Sequence, residues 1–115
     1  MPHIIVEYSS NIEDRVNIPE MLTNMHSSLA GSGIDQARIK TRGISIPHSV
    51  VGNNAHNEGQ MVHITLLLLE GREVELKKQY STPLYDIAKN AVGSDFPDCA
   101  ISLEVRDMLA ATYIL

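Results

Sequence analysis

The pattern of apolar and polar positions predicts strands at four places along the chain, three by alternation and one by a run of apolar residues. Residues 3–8 and 39–46 alternate with a period of two, as half-buried strands do. Residues 61–69 contain the longest apolar run and form the strongest predicted strand. Residues 101–106 alternate again, and residues 107–115 are expected to form a short tail that ends in apolar side chains.

Apolar residues at helical spacing predict a first helix that begins after Asn17. Asn17 suits the N-cap position, Pro19 suits the first turn, and Glu20 lies where a capping box has its acidic residue. Gly31 and Gly33 are expected to end this helix, because glycine readily adopts the backbone conformation found at helix C-termini.

A second helix is predicted over residues 74–92, where one apolar stripe continues in phase. Pro83 interrupts this segment and allows two interpretations. Either one long helix bends at Pro83, which the continuous stripe favours, or a separate helix begins there with Thr82 as its N-cap. Gly93 is expected to end the helix in both cases.

The predicted order of elements is strand, helix, strand, and this order occurs twice, in halves at about residues 1–58 and 59–115. Each half is a β-α-β unit, in which a right-handed crossover makes the two strands parallel. Two such units side by side form a four-stranded mixed sheet with both helices on one face. We therefore predict a single α+β domain over residues 1–115 with a weak internal repeat of architecture.

The third predicted strand is apolar on both faces. Val62, Ile64, Leu66 and Leu68 share one face, and the residues between them are also largely apolar. A strand of this kind is usually covered on both faces. Since both helices are expected on one face, another subunit would cover the other face, which favours an oligomer.

Composition narrows the class of protein. Hydrophobic residues make up 43% of the 115 residues, yet there is one Phe and no Trp, so the core must be mainly aliphatic. Acidic residues outnumber basic ones by 14 to 9, which gives a formal charge of −5. This balance argues against nucleic acid as a partner.

The sequence shows neither the pattern of a signal peptide nor that of a membrane span. No apolar run approaches the ~20 residues of a membrane span, and the first residues lack the pattern of a signal peptide. Cys99 is the only cysteine, which excludes an internal disulfide and suits a reducing compartment. A cytoplasmic location without a membrane partner is the resulting expectation.

Three segments resemble known isomerases. Residues 1–9 read MPHIIVEYS and resemble the start of the 5-carboxymethyl-2-hydroxymuconate isomerases, a family of the tautomerase superfamily. Residues 62–66 read VHITL and resemble that family's third strand, while residues 69–72 read LEGR and resemble the strand-to-helix turn of the smaller 4-oxalocrotonate tautomerases. The resemblance extends over nearly the whole chain, most loosely at residues 50–59 and after Arg106. It implies a tautomerase-like fold of paired β-α-β units that assembles as a homotrimer.

The resemblance also implies that Pro2 is the catalytic base once Met1 is removed. A free α-amino group titrates at about pH 7.7–8.0, far below lysine at about 10.4. Burial and nearby cations lower its pKa further, because both disfavour the protonated form. In the resembled family this proline takes a proton from a 2-hydroxy-dienoate and returns it at a distant carbon, with no metal or organic cofactor. While Met1 remains, the Pro2 nitrogen is an amide and cannot act as a base.

The substrates that the resemblance implies are di- or tricarboxylates from the degradation of an aromatic acid. Such substrates need cations for binding and for the charge that develops on the dienolate oxygen. Arg72 matches a family arginine, and Arg42 is a further candidate on the second strand. Lys40 stands where the isomerase family usually has an arginine. A lysine is a point charge that cannot grip a carboxylate with two parallel bonds, so it puts the particular substrate in question.

Two other functions remain open from the sequence. One is a tautomerase of another enol or dienol acid, which Lys40 favours, and the other is a catalytically inactive trimeric binding protein, which a retained Met1 would favour. His48, His56 and His63 are too irregularly spaced to predict a metal site. Cys99 lacks a paired base and is expected to be an idle thiol.

Overall fold

A computed structural model describes all 115 residues. The main elements are β1 (His3–Ser9), α1 (Ile18–Gly31), β2 (Lys40–Ile46), β3 (Met61–Leu69), α2 (Val74–Val92) and β4 (Ala100–Met108). Four short 3-10 turns lie between or after these elements. All of the predicted strands and helices are present, in the predicted order.

The strands form one four-stranded sheet in the order β2-β1-β3-β4. β1 pairs with β2 in parallel, and β3 pairs with β4 in parallel. The two central strands, β1 and β3, are antiparallel. The predicted mixed sheet is therefore confirmed, and its antiparallel centre brings the end of β3 next to the start of β1.

The start of α1 follows the predicted capping pattern. The Asn17 side chain accepts a hydrogen bond from the Glu20 backbone N–H at 3.1 Å. The Glu20 carboxylate in turn accepts from the Asn17 side-chain amide at 3.1 Å. Together these bonds satisfy one of the free N–H groups of the first turn and fix where the helix begins.

One continuous helix spans Pro83, so the long-helix interpretation is confirmed for α2. Gly93 ends α2 at a φ of 59°, a conformation that strongly favours glycine. The apolar stripe packs inward, with Tyr80, Leu84 and Ala88 buried.

The core is mainly aliphatic and lies between the sheet and the two helices. Ile4 and Val6 of β1 and Ile64 and Leu66 of β3 are fully buried on the side that the helices cover. The opposite face of the sheet carries no helix, and its residues on β3 are mostly half-buried. We call this surface the helix-free face; it consists of the side chains of His3, Ile5, Glu7, Lys40, Arg42, Ile44, Met61, His63, Thr65, Leu67, Leu69, Ala100, Ser102, Glu104, Arg106 and Met108.

One detail of the sequence prediction is wrong. β4 continues to Met108, two residues into the predicted tail, because β3 offers a pairing partner as far as Leu69. The end of β4 is also joined to α2, since the Lys77 ammonium group lies 2.9 Å from the Asp107 carboxylate. Neither helix is both long and apolar enough to cross a membrane.

Candidate active site

The starts of β1 and β2 lie side by side and hold Pro2 in place. His3 and Lys40 form the first pair in the register of β1 and β2. The Lys40 backbone N–H donates to the carbonyl of Pro2, the residue before His3, at 3.1 Å. Pro2 itself is buried. The residue that sequence reasoning selected as the base is thus fixed at the end of the sheet.

Lys40 and Arg42 lie on the same face of β2, two residues apart. Their register partners on β1 are His3 and Ile5, so all four side chains project from the helix-free face. The Lys40 ammonium group donates to the Arg38 carbonyl at 3.3 Å. The Arg42 guanidinium donates to His3 Nδ1 at 3.0 Å.

Arg72 reaches the same end of the sheet from β3. Gly71 precedes it with a φ of 111°, which makes the sharp turn out of β3 possible. The Arg72 guanidinium donates to the Leu69 carbonyl at 3.2 Å and lies 5.9 Å from the centre of the Tyr80 ring. These contacts hold the side chain half-buried in one orientation.

The cations at this end of the sheet lack carboxylate partners. The ion pairs of the chain are Arg38–Asp35, Lys77–Asp107, Lys78–Glu75 and Arg106–Glu104. Lys40, Arg42 and Arg72 are in none of them. A protein with a net charge of −5 therefore keeps three unneutralised cations in one region, which is the arrangement an anionic ligand requires.

Nearby cations affect the pKa of the terminal amino group. Burial lowers the pKa of the Met1 amine below the usual value of an α-amino group, and the charges of Arg72, Arg38 and Lys40 lower it further. The direction is that required of a base at neutral pH. Arg38 was missed by sequence reasoning, although its position two residues before Lys40 was a usable signal.

His3 and Tyr113 also meet at this end of the sheet. Burial lowers the pKa of His3, and the charges of Arg42, Lys40 and the terminal amino group lower it further. His3 Nε2 lies 2.9 Å from the Tyr113 hydroxyl. No local pattern predicts this contact, because it joins residues 110 positions apart.

The remaining candidate residues lie elsewhere. His48 and His56 meet in the β2–β3 loop with ring nitrogens 3.0 Å apart, while His63 contacts Ser102 at 2.7 Å on the helix-free face. No third metal-ligating side chain joins either pair. Burial raises the pKa of Cys99, so its thiol is a poor nucleophile.

The principal surface clefts do not coincide with this site. A cleft of about 410 Å³ between α1 and α2 is lined by Arg15, Glu20 and Asn90 among others. Neither it nor the other three principal clefts are lined by Pro2, Lys40 or Arg72. At the cation-rich end of the sheet, the Lys40 and Arg42 side chains are exposed.

Comparison with known proteins gives a family match over almost the whole chain. The family model described as 5-carboxymethyl-2-hydroxymuconate isomerase matches residues 2–114. The 5-carboxymethyl-2-hydroxymuconate Delta-isomerase of Escherichia coli is 28% identical over 111 residues, which cover 94% of this chain and 87% of that relative.

Solved structures of low sequence identity share the fold. A 5-carboxymethyl-2-hydroxymuconate isomerase from Deinococcus radiodurans R1 matches with a TM-score of 0.82 at 21% identity, over 99% of this chain and 88% of that one. A fused 4-OT, described as a symmetric trimer, matches with a TM-score of 0.73 at 19% identity, over 93% of this chain and 87% of that one.

Proposed function

The chain belongs to the 5-carboxymethyl-2-hydroxymuconate isomerase family, and we propose that it converts a 2-hydroxy-dienoate carboxylate to its conjugated 2-oxo-enoate, with Pro2 as the proton carrier. The observation that carries the proposal is the convergence of Lys40, Arg42 and Arg72, none of them paired with a carboxylate, on the end of the sheet that holds Pro2. A di- or tricarboxylate substrate such as 5-carboxymethyl-2-hydroxymuconate would supply the missing negative charge.

The chemistry requires that Met1 be removed, which converts the Pro2 nitrogen from an amide to a secondary amine. The burial and cations that lower the pKa of the Met1 amine surround Pro2 as well, one residue further into the sheet. The unprotonated amine takes the proton from the substrate's 2-hydroxyl group, leaving a dienolate. The protonated amine then returns that proton to a carbon of the conjugated system, which forms the 2-oxo-enoate and regenerates the base.

The cations have two roles in this proposal. Arg72 is held by its contacts with the Leu69 carbonyl and the Tyr80 ring, so it can bind a carboxylate or the dienolate oxygen with little loss of side-chain freedom. Lys40 and Arg42 add positive charge on the helix-free face. Stabilising the developing dienolate charge lowers the barrier, whereas binding the carboxylates sets substrate affinity.

We also propose that three copies of the chain assemble with their helix-free faces inward. The support is the partly exposed apolar surface of β3 on that face, together with Ile114 and Leu115 in the tail, which are 93% and 85% exposed. Burying such surface against another copy is favourable. Enclosure by a second copy would also turn the open cation-rich surface into a pocket.

Lys40 favours a second candidate function, a tautomerase of another enol or dienol acid. Its ammonium group contacts only a backbone carbonyl and offers one point charge rather than a planar pair of donors. Relative rates on mono-, di- and tricarboxylate dienols distinguish the two candidates, since only an enzyme for a tricarboxylate should prefer that substrate.

The test combines intact mass with a kinetic assay. Protein from its native host should have a mass that lacks Met1, and it should ketonise 2-hydroxymuconate, followed by ultraviolet absorbance. Pro2→Ala should lower kcat/KM about 100-fold or more, the typical scale of general acid–base catalysis. Pro97→Ala, in an exposed loop, is the matched control and should keep full activity. Retained Met1, or activity indifferent to Pro2, would contradict the mechanism.

A further inference from the structure

The C-terminal tail folds back across the end of the sheet. After β4, the Ala110 backbone N–H donates to the Glu70 carboxylate at 2.6 Å, and the Glu70 N–H donates to the Met108 carbonyl at 3.0 Å. These bonds direct the tail from the edge strand β4 past the end of β3. The tail thereby reaches His3, the first residue of β1.

Tyr113 is the tail residue that contacts β1. Its hydroxyl oxygen lies 2.9 Å from His3 Nε2, and the two rings meet edge to face with centroids 6.0 Å apart. Tyr113 is half-buried, whereas Ile114 beyond it is exposed. Tyr113 is therefore the last residue of the tail that is partly buried.

The hydrogen bonds assign the protons on His3. The Arg42 guanidinium, which has only donors, lies 3.0 Å from His3 Nδ1, so Nδ1 must accept and carries no proton. A neutral imidazole then carries its proton on Nε2, and this N–H donates to the Tyr113 oxygen. The cationic surroundings that lower the pKa of His3 favour this neutral form.

This assignment leaves the hydrogen of the Tyr113 hydroxyl free. The hydroxyl has no hydrogen-bond partner in the chain other than His3. Lys40, Arg42 and the terminal amino group all lie close enough to His3 to affect its charge, so an anion is the acceptor these surroundings favour. No carboxylate of the chain occupies that position.

We propose that the Tyr113 hydroxyl donates a hydrogen bond to the substrate carboxylate remote from the 2-hydroxyl group, which makes Tyr113 a specificity-determining residue and His3 its positioning residue. The inference rests on the proposed function. The His3 side chain projects from the helix-free face, and Tyr113 meets it at Nε2, so a group that contacts Tyr113 is separated from the reacting carbons at the Pro2 nitrogen by the length of the His3 side chain. Tyr113 therefore distinguishes a dicarboxylate from a monocarboxylate.

The first test is Tyr113→Phe, which removes the hydroxyl and keeps the ring. For the dicarboxylate 2-hydroxymuconate, kcat/KM should fall about 10- to 100-fold, mainly through KM, as expected for a lost hydrogen bond to a charged group. For the monocarboxylate 2-hydroxy-2,4-pentadienoate it should stay within about twofold, since the acceptor is absent. Tyr85→Phe, another half-buried tyrosine, is the matched control and should change neither. Equal losses on both substrates, or no loss, would overturn the proposal.

The second test concerns the positioning role of His3. In His3→Gln the amide oxygen can accept from Arg42 and the amide nitrogen can donate to Tyr113, as the neutral imidazole does. This variant should keep most of the preference for the dicarboxylate, whereas His3→Leu should lose it as Tyr113→Phe does. Identical behaviour of the two His3 variants would contradict the positioning role.

A binding measurement separates this inference from the proposed reaction. trans,trans-Muconate carries both carboxylates but no 2-hydroxyl group, so it cannot be ketonised. Isothermal titration calorimetry should show about 10- to 100-fold weaker binding to Tyr113→Phe than to the unmodified protein. If the protein fails to ketonise 2-hydroxymuconate but shows this difference, the proposed function fails and the carboxylate contact stands. Equal binding, or no binding to either protein, overturns the contact.

Discussion

The starts of β1 and β3 have the same backbone arrangement and different chemistry. At β1, the Lys40 N–H donates to the Pro2 carbonyl at 3.1 Å. At β3, the Ala100 N–H donates to the Gln60 carbonyl at 3.0 Å, in the equivalent position of the second parallel pair. The fold thus offers two similar strand starts at opposite ends of the sheet.

Only beside the start of β1 are the paired register positions occupied by cations. Lys40 and Arg42 on β2 correspond in register to Ala100 and Ser102 on β4. The segments that follow the central strands also differ. Arg72 follows β3 and lies near the start of β1, whereas the residues that follow β1 lie near the start of β3 and bond to it through neutral groups.

Those neutral bonds satisfy the second strand start within the chain. The Asn11 amide donates to the Gly59 carbonyl at 2.9 Å, and the Met61 N–H donates to the Ser9 hydroxyl oxygen at 3.0 Å. The backbone arrangement is therefore common to both strand starts. What sets the proposed site apart is unpaired positive charge beside the residue that would carry the amine, which occurs at one of the two equivalent positions.

Of the charges that distinguish the start of β1 from the start of β3, Arg72 should contribute most to activity. Arg72→Gln should lower kcat/KM for 2-hydroxymuconate by about 100-fold, because a charge-assisted hydrogen bond to the substrate is lost. Steady-state kinetics measures the loss, and thermal unfolding checks that the contacts with Leu69 and Tyr80 are not the cause. Arg15→Gln, on the helix-covered side, is the matched control. Equal activity of the two variants would mean that Arg72 does not act in the site.

Moving the lysine from the start of β2 to the equivalent position of β4 should lower kcat/KM less than the loss of Arg72 does. Lys40→Ala should lower kcat/KM about tenfold, since an exposed lysine contributes charge without a fixed pair of bonds. Ala100→Lys, which adds a cation at the equivalent position of β4, should leave activity unchanged because Pro2 and Arg72 lie at the other end. Rescue of Lys40→Ala by Ala100→Lys would refute the assignment of the site to β1.

The smallest effect should be a shift of the pH profile. Burial, then Arg72, then Arg38 lower the pKa of the Met1 amine, and once Met1 is removed we expect the same surroundings to lower the pKa of the Pro2 amine, so that the unprotonated base persists to a lower pH than in a free peptide. Arg38→Gln removes one positive charge and should raise the pKa of that amine. The acid limb of the kcat/KM profile should therefore move to higher pH, with little change on the plateau. A shift to lower pH would contradict the assignment of this limb to the amine.

The hydrophobic pattern predicts the fold because each element depends on local spacing. The Asn17 cap, the continuous α2 across Pro83 and the Gly93 end are all local signals, and all are confirmed. The extent of β4 was wrong by two residues because the pairing with β3 determines where it ends.

The site is only partly predictable, because it depends on contacts between distant segments. Pro2, Lys40, Arg42 and Arg72 were chosen by resemblance and strand periodicity, and the register brings them to one end of the sheet. The link from Arg42 through His3 to Tyr113 depends on how the tail crosses β3, which no sequence spacing encodes. The meeting of His48 and His56 depends likewise on the folding of the β2–β3 loop.

Covalent labelling of the amine tests the central claim most directly. 2-Oxo-3-pentynoate carries a carboxylate for the cations and an electrophilic alkyne that a free amine attacks to form an N–C bond. At neutral pH, mass spectrometry should find one adduct per chain, on the N-terminal fragment that begins at Pro2, and Arg72→Gln should slow its formation. An N-terminal fragment that still contains Met1 and carries no adduct, or an adduct on Cys99 alone, would contradict the role of Pro2 as the base.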